Sequence, residues 1–363
     1  MRKILALALF FLITSCAKER ACNEVVINGF DDNYSEENAP LSSFVDKIEV
    51  IPLKRSPEAI LTGPRKIVCY KDKFYMLDNN RLFCYGASGD FICFIGERGH
   101  GHGEYINIAT FVVFNDTVWL LDSFKNTMMT YTLDGTFVSE QEAPQGTLAN
   151  VEDAVFEEKG LLFMANYIFN DQNAVYTRWN TSTNQVDVVE KTPLQTDGTK
   201  EAVGMHSFSD YAGNIRYILP FSDVIKSTKE HALRFQTAKK VLTDSDLEGM
   251  TNFSIMTYAD HMDDFVGFNN IFETKNYLLL TFSNLEYVVV DKNSNECFRR
   301  MYRYNEDAEA FPLVNILSST GDALIGVIEM ERYDGKLKNK IQEYISVPSE
   351  EDYDYAIVMY HAK

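Results

Sequence analysis

The sequence predicts an all-β fold made of repeated four-stranded antiparallel sheets. Three observations indicate it: short apolar runs, turn residues between them, and a pattern that recurs after about 44 to 46 residues. Aromatic residues make up 13% of the 363 residues, with 25 Phe and 20 Tyr, and such residues favour strands. A recurrence of this length is typical of propeller blades, which are sheets that bury their faces against copies of themselves.

The first repeat is the clearest sheet in the chain. Four apolar runs, each of four or five residues, follow one another at Ile67–Tyr70, Phe74–Leu77, Leu82–Tyr85 and Phe91–Ile95. The last two are separated by Gly86-Ala-Ser-Gly-Asp90, whose residues are typical of a turn. The spacing leaves no room for a helix, so we predict a four-stranded blade over residues 65–99.

The second repeat keeps the strand end and the turn of the first. Phe74-Tyr-Met-Leu-Asp78 returns as Val118-Trp-Leu-Leu-Asp122, and Cys84-Tyr-Gly-Ala-Ser-Gly-Asp-Phe91 returns as Thr130-Tyr-Thr-Leu-Asp-Gly-Thr-Phe137. Similar runs predict three more blades and a sixth between Ala323 and Tyr360. The predicted second to fifth blades cover residues 108–140, 151–190, 204–240 and 264–303.

A ring of blades must close, and the simplest closure pairs a strand from each end of the chain. The apolar runs Ile48–Leu53 and Tyr355–Tyr360 are the natural partners. Pro52 lacks a backbone N–H group and therefore suits an edge or closing strand. We predict a six-bladed β-propeller over residues 45–363, closed by pairing of its N- and C-terminal strands.

The first residues are typical of a bacterial lipoprotein signal. Arg2 and Lys3 precede an apolar stretch of about ten residues, too short to span a bilayer stably. Ile13-Thr14-Ser15 then leads to Cys16, the predicted lipidation site. We predict a signal peptide at residues 1–15, a polar tether at 16–44, and anchoring to the bacterial cell envelope. We favour the outer membrane, with the propeller facing the periplasm or the cell surface.

The charge and the cysteines limit the partners further. The net charge of −19 repels phosphate backbones, so we expect no nucleic-acid partner.

The six cysteines include no C-x-x-C spacing, so a zinc site built from thiolates is not predicted. Cys84 and Cys93 lie on neighbouring strands of one hairpin. We expect small buried hydrophobic side chains there, with a disulfide as the alternative.

These motifs resemble the six-bladed β-propeller lipoproteins of Bacteroidota, an NHL-like group. The resemblance rests on Tyr75-Met-Leu-Asp78, Ser88-Gly-Asp-Phe91 and the loop from Gly96 to Tyr105, and it extends over roughly residues 45–360. It departs at His100 and His102, where the group often has Gln and Pro. The resemblance implies an envelope lipoprotein with a propeller fold. It implies no particular activity, although members are often suspected of roles in glycan use.

The loop Gly96-Glu-Arg-Gly-His-Gly-His-Gly-Glu-Tyr105 has the most chemically suggestive composition. Alternate residues of an extended segment point to one side, so His100, His102 and Glu104 could converge on a metal. The alternative is a glycine-rich connection between blades that needs positive φ angles. We favour the connection and predict no metal site and no cofactor, but we keep Arg98, His100, His102 and Glu104 as candidate ligand-binding residues.

Asp78 and Asp122 end equivalent strands and are the remaining candidate ligand-binding residues. They could contribute to a ring of carboxylates at the mouth of the central channel, or each could cap the turn that follows it. Aromatic residues such as Trp119, Trp179, Tyr217 and Tyr287 could likewise stack on sugar rings, although packing between blades is the simpler expectation.

The sequence contains no complete catalytic signature, and we predict no catalytic residues. We therefore favour a non-enzymatic role, as an envelope-anchored module that binds or scaffolds a glycan, peptide or protein partner. The alternative is a lactonase- or lyase-like propeller enzyme with a metal in the central channel. That alternative requires several Glu, Asn, Asp or His ligands from the innermost strands, and no such set can be aligned from the sequence.

Overall fold

The structure, a computed structural model, confirms the predicted all-β six-bladed propeller of four-stranded antiparallel blades. The predicted signal peptide and Cys16 lie outside the residues that it describes. Those residues are 25–28, 40–166, 174–191, 208–219, 222–236, 240–241, 265–282, 286–301, 311–333, 335–345 and 353–363.

The strands of the first three blades follow the order of the chain. The N-terminal strands are β1 (Val25–Asn28) and β2 (Val45–Pro52). Blade 1 contains β3 (Lys66–Tyr70), β4 (Lys73–Asp78), β5 (Arg81–Gly86) and β6 (Phe91–Phe94). The connection to blade 2 contains the paired β7 (Glu97–Arg98) and β8 (Glu104–Tyr105). Blade 2 contains β9 (Ile108–Phe114), β10 (Thr117–Asp122), β11 (Thr127–Thr132) and β12 (Phe137–Glu142). Blade 3 contains β13 (Val151–Glu158), β14 (Leu161–Asn166), β15 (Ala174–Asn180) and β16 (Gln185–Lys191).

The second half repeats this plan. Blade 4 contains β17 (Phe208–Tyr211), β18 (Asn214–Ile218), β19 (Val224–Ser227) and β20 (Leu233–Gln236). The next pair is β21 (Lys240–Val241) and β22 (Phe265–Val266). Blade 5 contains β23 (Phe268–Glu273), β24 (Tyr277–Phe282), β25 (Glu286–Asp291) and β26 (Cys297–Met301). Blade 6 joins β27 (Ile316–Ser319), β28 (Ala323–Glu329) and β29 (Tyr355–Ala362) to β2.

The described helices are short. Two 3₁₀ turns lie at Leu41–Ser43 and Met330–Arg332, and the helix α1 covers Gly335–Glu343. None of the helices within the described ranges combines the length and the apolar character that crossing a bilayer requires.

The ring closes as predicted, through strands from the two ends of the chain. Strand β2 pairs antiparallel with β29, and the paired residues run from Ile48 with Tyr360 to Pro52 with Ala356. Strand β2 is the outermost strand of blade 6, so Pro52 lies on an edge where its missing N–H group is tolerated. The pairing therefore ties the start of the propeller to its end.

The glycine of the repeated turn is required by contact with the neighbouring blade. Gly89 has a φ of +81°, and a Cβ atom there would lie 1.9 Å from the backbone oxygen of Pro52 in blade 6. Gly135 has a φ of +85°, and its Cβ would lie 2.7 Å from the backbone oxygen of Phe94 in blade 1. Only glycine combines this φ with so close an approach, which explains why both repeats carry it.

The hydrophobic core is divided among the blade interfaces. Side chains alternate between the two faces of each strand, so each blade contributes to the core on both sides. Among the described residues, six clusters of buried side chains lie one between each pair of neighbouring blades around the ring. The aromatic residues of the repeats therefore serve mainly to pack blade on blade.

Two parts of the segment predicted as a tether are packed against the propeller. Strand β1 pairs in parallel with β20 and adds a fifth strand to the outer edge of blade 4. Leu41 and Phe44 are buried in the cluster between blades 5 and 6. The apolar run Val25-Val-Ile27 explains the added strand, because it offers the open edge of blade 4 a strand of high β-propensity.

Candidate functional site

Asp78 and Asp122 perform the same structural task in successive blades. Asp78 is buried and accepts hydrogen bonds from Thr62 Oγ1 at 2.9 Å and from the N–H group of Gly63 at 3.2 Å. Asp122 is fully buried and accepts from the N–H group of Ile106 at 2.6 Å. Each carboxylate thus fastens the segment that leads into the first strand of its own blade.

Asp122 also caps the turn that follows it. Its Oδ1 accepts hydrogen bonds from the N–H groups of Phe124 at 2.8 Å and Lys125 at 3.0 Å. Because backbone groups of the chain itself surround both buried carboxylates, we do not place Asp78 or Asp122 in the candidate ligand site.

The third blade replaces this aspartate by Asn166. Asn166 ends β14 as Asp122 ends β10, and it follows Asp122 by the repeat length of about 44 residues. Its Nδ2 donates to Thr177 Oγ1 at 2.9 Å, within its own sheet. No hydrogen bond fastens Asn166 to the incoming loop among the described residues, and a cleft opens between that loop and the sheet.

We call this space the amide cleft, and it has a volume of about 430 Å³. It lies between the loop 144–150 and the outer strands of blade 3. The side chains of Gln145, Asn150, Asn166 and Asn184 contribute carboxamide groups to its lining. Thr147, Thr177, Val186 and Val188 are also part of its lining, and none of the described residues that line it is charged.

The Asn126 side chain helps to hold the loop of the cleft in place. Asn126 Nδ2 donates to the backbone oxygens of Ala143 at 2.7 Å and Pro144 at 3.0 Å. Its Oδ1 accepts from the N–H group of Leu148 at 3.1 Å. These three bonds span the loop, so the lining is preorganised by the neighbouring blade.

Two lining carboxamides remain available to a ligand. Gln145 is exposed and Asn150 is half-buried, and neither side chain has a hydrogen bond within the described part of the chain. Asn184 is partly engaged, because its Oδ1 accepts from Trp179 Nε1 at 3.0 Å. A carboxamide both donates and accepts hydrogen bonds, as do hydroxyl and amide groups of uncharged ligands.

The glycine-rich loop is fixed by backbone contacts. Lys125 Nζ donates to the backbone oxygens of Gly101 at 2.9 Å and Glu104 at 2.7 Å, and Tyr131 Oη donates to that of Gly103 at 3.0 Å. The Glu104 carboxylate lies over the glycines: a Cβ atom at Gly99 would be 2.0 Å from Glu104 Oε2. The glycines are therefore explained by packing within the connection.

The candidate residues of this loop have separate partners. His102 Nδ1 is hydrogen-bonded to Glu140 Oε1 at 2.9 Å, whereas Glu104 Oε2 accepts from the N–H group of Gly101 at 2.8 Å. His100 and Arg98 are exposed. Among the described residues, no group of three or more His, Cys, Asp or Glu side chains is placed to hold a metal ion.

The first strands of the blades surround the central axis, and polar side chains join three of them. Lys66, Thr110 and Asp153 occupy equivalent positions at the starts of β3, β9 and β13. Lys66 Nζ forms an ion pair with Asp153 and donates to Thr110 Oγ1 at 3.1 Å. Thr110 Oγ1 in turn donates to Asp153 Oδ1 at 2.9 Å. These groups satisfy one another across three blades.

Glu152 beside this cluster titrates near neutral pH. It is the extra residue of a β-bulge, since pairing with β14 shifts between Val151 and Asp153. Burial, reinforced by the Asp153 carboxylate, raises the pKa of Glu152 to about 7, and Arg65 opposes the rise. The folded protein therefore keeps this carboxyl protonated at pH values where the unfolded chain has lost the proton.

We expect Glu152→Gln to flatten the dependence of stability on pH. Between an unfolded pKa of 4.5 and a folded pKa of about 7, the folded state holds the extra proton, so the free energy of unfolding falls as pH rises through this window. Glutamine does not ionise, so its free energy of unfolding lacks this pH dependence. The difference in free energy of unfolding between the variant and the wild type should therefore shift by roughly 2 kcal/mol in favour of the variant from pH 5 to pH 8. Urea denaturation at both pH values measures this difference, and parallel profiles would contradict it.

The aromatic residues singled out in the sequence pack between blades. Trp179 is fully buried in the cluster between blades 2 and 3, and the half-buried Trp119 packs against the same cluster. Tyr217 and Tyr287 are also buried. The sequence reasoning missed Asn166, although the repeat length contained the signal: Leu162-Phe-Met-Ala-Asn166 aligns with the strand end at Asp122.

Comparison with families of known sequence gives one match. A family model described as "Domain of unknown function (DUF4934)" matches residues 24–359. No curated protein has a sequence that matches the chain. The matched range begins before strand β1 and ends within β29 of blade 6.

Solved structures share the fold at low sequence identity. A candidate exported protein from Bacteroides fragilis has 16% identity and a TM-score of 0.73, covering 93% of this chain and 100% of that one. A member of the DUF4221 family from Bacteroides vulgatus has 10% identity and a TM-score of 0.52, covering 88% and 97%. A structural genomics protein of unknown function from Bacteroides thetaiotaomicron has 10% identity and a TM-score of 0.50, covering 87% and 76%. These similarities establish the fold alone.

Proposed function

Since the chain belongs to the DUF4934 family, whose description assigns no activity, we propose from the geometry that it is an envelope-anchored glycan-binding protein. The binding site is the amide cleft of blade 3. The observation that carries the proposal is a preorganised cleft lined by four carboxamides and two threonine hydroxyls, with no charge among its described lining residues.

The lining chemistry matches a neutral sugar. Sugar hydroxyls donate and accept hydrogen bonds, and the exposed Gln145 and half-buried Asn150 can do both. Val186 and Val188 offer apolar surface for the C–H face of a sugar ring. The volume of about 430 Å³ lies within the usual range of ligand pockets, roughly 300–1,000 Å³.

The carboxamides provide the first test of glycan binding. Neutral oligosaccharides should raise the melting temperature of the full-length protein in detergent, because a ligand of the folded state stabilises it by mass action. Asn150→Ala and Gln145→Ala should each raise the dissociation constant of a binding sugar about tenfold, which corresponds to a loss of roughly 1.4 kcal/mol of binding free energy.

The matched control is Asn293→Ala, which removes an exposed carboxamide from the turn between β25 and β26 of blade 5. It should leave the affinity unchanged. If a peptide bound through the same two residues and no sugar bound, the ligand of the cleft would be a peptide and the glycan proposal would be wrong. If the wild type and both cleft variants bound a sugar with equal affinity, the amide cleft would not be the binding site.

The anchoring part of the proposal rests on the N-terminal sequence. We propose that Cys16 carries the lipid and holds the propeller at the outer membrane, on its periplasmic or surface side. The resemblance to Bacteroidota lipoproteins and the Bacteroides fragilis neighbour described as a candidate exported protein both support this location. More than one acyl chain is needed for stable anchoring, and a lipidated N-terminal cysteine supplies it.

Metabolic labelling with a fatty acid tests the anchor directly. The wild-type protein should incorporate the label and fractionate with membranes, whereas Cys16→Ala should lose both properties. Cys22→Ala is the matched control, because it removes a cysteine six positions further along the same segment. If Cys16→Ala retained the label, Cys16 would not be the lipidation site.

The alternative function is an enzyme with a metal in the central channel. It would need ligands from several first strands, and the polar residues at the equivalent positions of three of those strands, Lys66, Thr110 and Asp153, bond to one another. No observation on the described residues favours this alternative over glycan binding, and we put forward no catalytic role.

A further inference from the structure

Cys84 and Cys93 lie directly opposite each other on β5 and β6 of blade 1. Opposed residues of antiparallel strands have Cα atoms about 4.5–5.5 Å apart, and a disulfide needs about 4.4–6.8 Å. Both residues are free thiols in the structure. The backbone is therefore already placed for a bond between them.

We propose that Cys84 and Cys93 form a redox-active dithiol, which a small-molecule or protein disulfide oxidises to an intramolecular disulfide. The dithiol lies on blade 1 and is separate from the amide cleft of blade 3. Its oxidation in the cell rests on the proposed envelope location, since exported proteins meet an oxidising environment. The ability of the two thiols to form a disulfide depends only on the geometry of blade 1.

The two sulfur atoms differ in exposure and in proton affinity. Cys84 is buried, whereas Cys93 is half-buried. The hydrogen-bond interaction with the Cys84 thiol, helped by Lys73, lowers the pKa of Cys93 to about 7 against the opposing effects of burial and of the Asp134 carboxylate. The same hydrogen bond and burial raise the pKa of Cys84. The more accessible sulfur therefore has the larger thiolate fraction, and the thiolate is the nucleophilic form.

Charged and polar groups from two blades surround the pair. Lys73 of β4 forms an ion pair with Asp134 in the turn between β11 and β12. Cys93 Sγ donates to the backbone oxygen of Asp134 at 3.6 Å, and Tyr75 Oη donates to that of Leu133 at 3.0 Å. The dithiol therefore lies at the interface between blades 1 and 2, with a cation beside it to stabilise the thiolate.

The oxidation proceeds by two exchange steps. The Cys93 thiolate attacks one sulfur of the oxidant RS–SR, which forms a mixed disulfide at Cys93 and releases RS⁻. The Cys84 thiol gives its proton to the released RS⁻, and its sulfur attacks Cys93 Sγ and expels the second RS⁻. That group takes up the proton that Cys93 had released as it ionised. In total, two cysteine thiols are oxidised to one disulfide and RS–SR is reduced to two RSH.

The test treats the full chain, purified in detergent and fully reduced, with oxidised glutathione. Remaining thiols are then alkylated and peptides are mapped by mass spectrometry, which separates this pair from the other cysteines. We expect a linked peptide that contains Cys84 and Cys93, two hydrogen atoms lighter than the reduced pair. Cys84→Ser should instead accumulate a stable glutathione adduct at Cys93, because the resolving thiol is missing.

A kinetic measurement on the wild type avoids any folding defect of the variants. Cys93 should be alkylated at pH 7 at least about tenfold faster than Cys69, whose pKa is raised by burial, because alkylation follows the thiolate fraction. Cys69→Ser is the control variant and should form the same linked peptide. Separately alkylated Cys84 and Cys93 after oxidation, or alkylation of Cys93 no faster than that of Cys69, would overturn the proposal. Neither result depends on glycan binding or on the lipid.

Discussion

Replacing Asp122 with alanine is expected to lower the free energy of unfolding by about 4 kcal/mol. The carboxylate is fully buried and accepts hydrogen bonds from the N–H groups of Ile106, Phe124 and Lys125. Hydrogen bonds to a charged acceptor contribute about 1.5–3 kcal/mol each, although they do not add fully. Alanine leaves these partly buried N–H groups without their charged acceptor.

The two tryptophans of the chain make this loss easy to measure. Trp119 and Trp179 both belong to the interface between blades 2 and 3, so their fluorescence reports urea unfolding of the region that Asp122 supports. Asp122→Asn should cause a smaller loss, since its amide oxygen still accepts but carries no full charge. That variant also reproduces the arrangement of blade 3, where Asn166 ends the equivalent strand.

Asp187→Ala is the control, because Asp187 is an exposed aspartate on the outer strand of blade 3. It should leave the unfolding midpoint unchanged. A loss for Asp122→Ala no larger than that for Asp187→Ala would contradict the structural role assigned to the strand-end aspartate.

Replacing Glu273 with alanine is expected to cost about 3–5 kcal/mol of stability. Glu273 Oε1 lies 3.2 Å from Arg216 Nε and 2.7 Å from Lys292 Nζ. The side chains of Glu273 and Arg216 are only 1% and 5% exposed. Removing the carboxylate leaves two cations close together, one of them deeply buried, and that cost exceeds the net contribution of the ion pair itself.

A double-mutant cycle measures the interaction energy between Glu273 and Arg216 separately from their contacts with other residues. Glu273→Leu and Arg216→Leu together should cost less than the sum of the single losses, because the double variant leaves no buried charge of this pair unmatched. Thermal unfolding followed by circular dichroism measures all three variants.

Glu230→Ala provides the matched control. Glu230 also pairs with Arg216 but is 57% exposed, so its loss should cost less than about 1 kcal/mol. Equal losses for Glu273→Ala and Glu230→Ala would show that burial of the network contributes nothing.

The sequence predicted the blades because their physics is local. Short apolar runs rich in aromatic residues, such as Phe74–Leu77, indicate a strand, and the glycine of the repeated turn indicates where the chain reverses. Closure by Ile48–Leu53 and Tyr355–Tyr360 also followed, since a ring has only two free ends. Strand β1 was not predicted because three apolar residues in a polar segment are a weak signal without the sheet edge with which they pair.

The candidate site was less accessible to sequence reasoning. The histidines and aspartates drew attention because their side chains suit metal binding and catalysis, yet Asp78 and Asp122 are occupied by backbone N–H groups. The carboxamides of the amide cleft are individually unremarkable in the sequence. They become a site only because the fold brings Asn150 of the loop close to Asn166 of the sheet, while Asn126 holds the loop in place.

The sequence by itself determined the all-β class, the six blades, their four-strand plan and the closure of the ring, because side-chain alternation and turn chemistry act over a few residues. The tertiary structure alone decided which polar atoms are occupied and which remain open to a ligand. An aspartate and an asparagine at equivalent strand ends differ by one charge. Whether that charge holds a loop closed depends on N–H groups some fifteen residues away, at distances that only the folded chain sets.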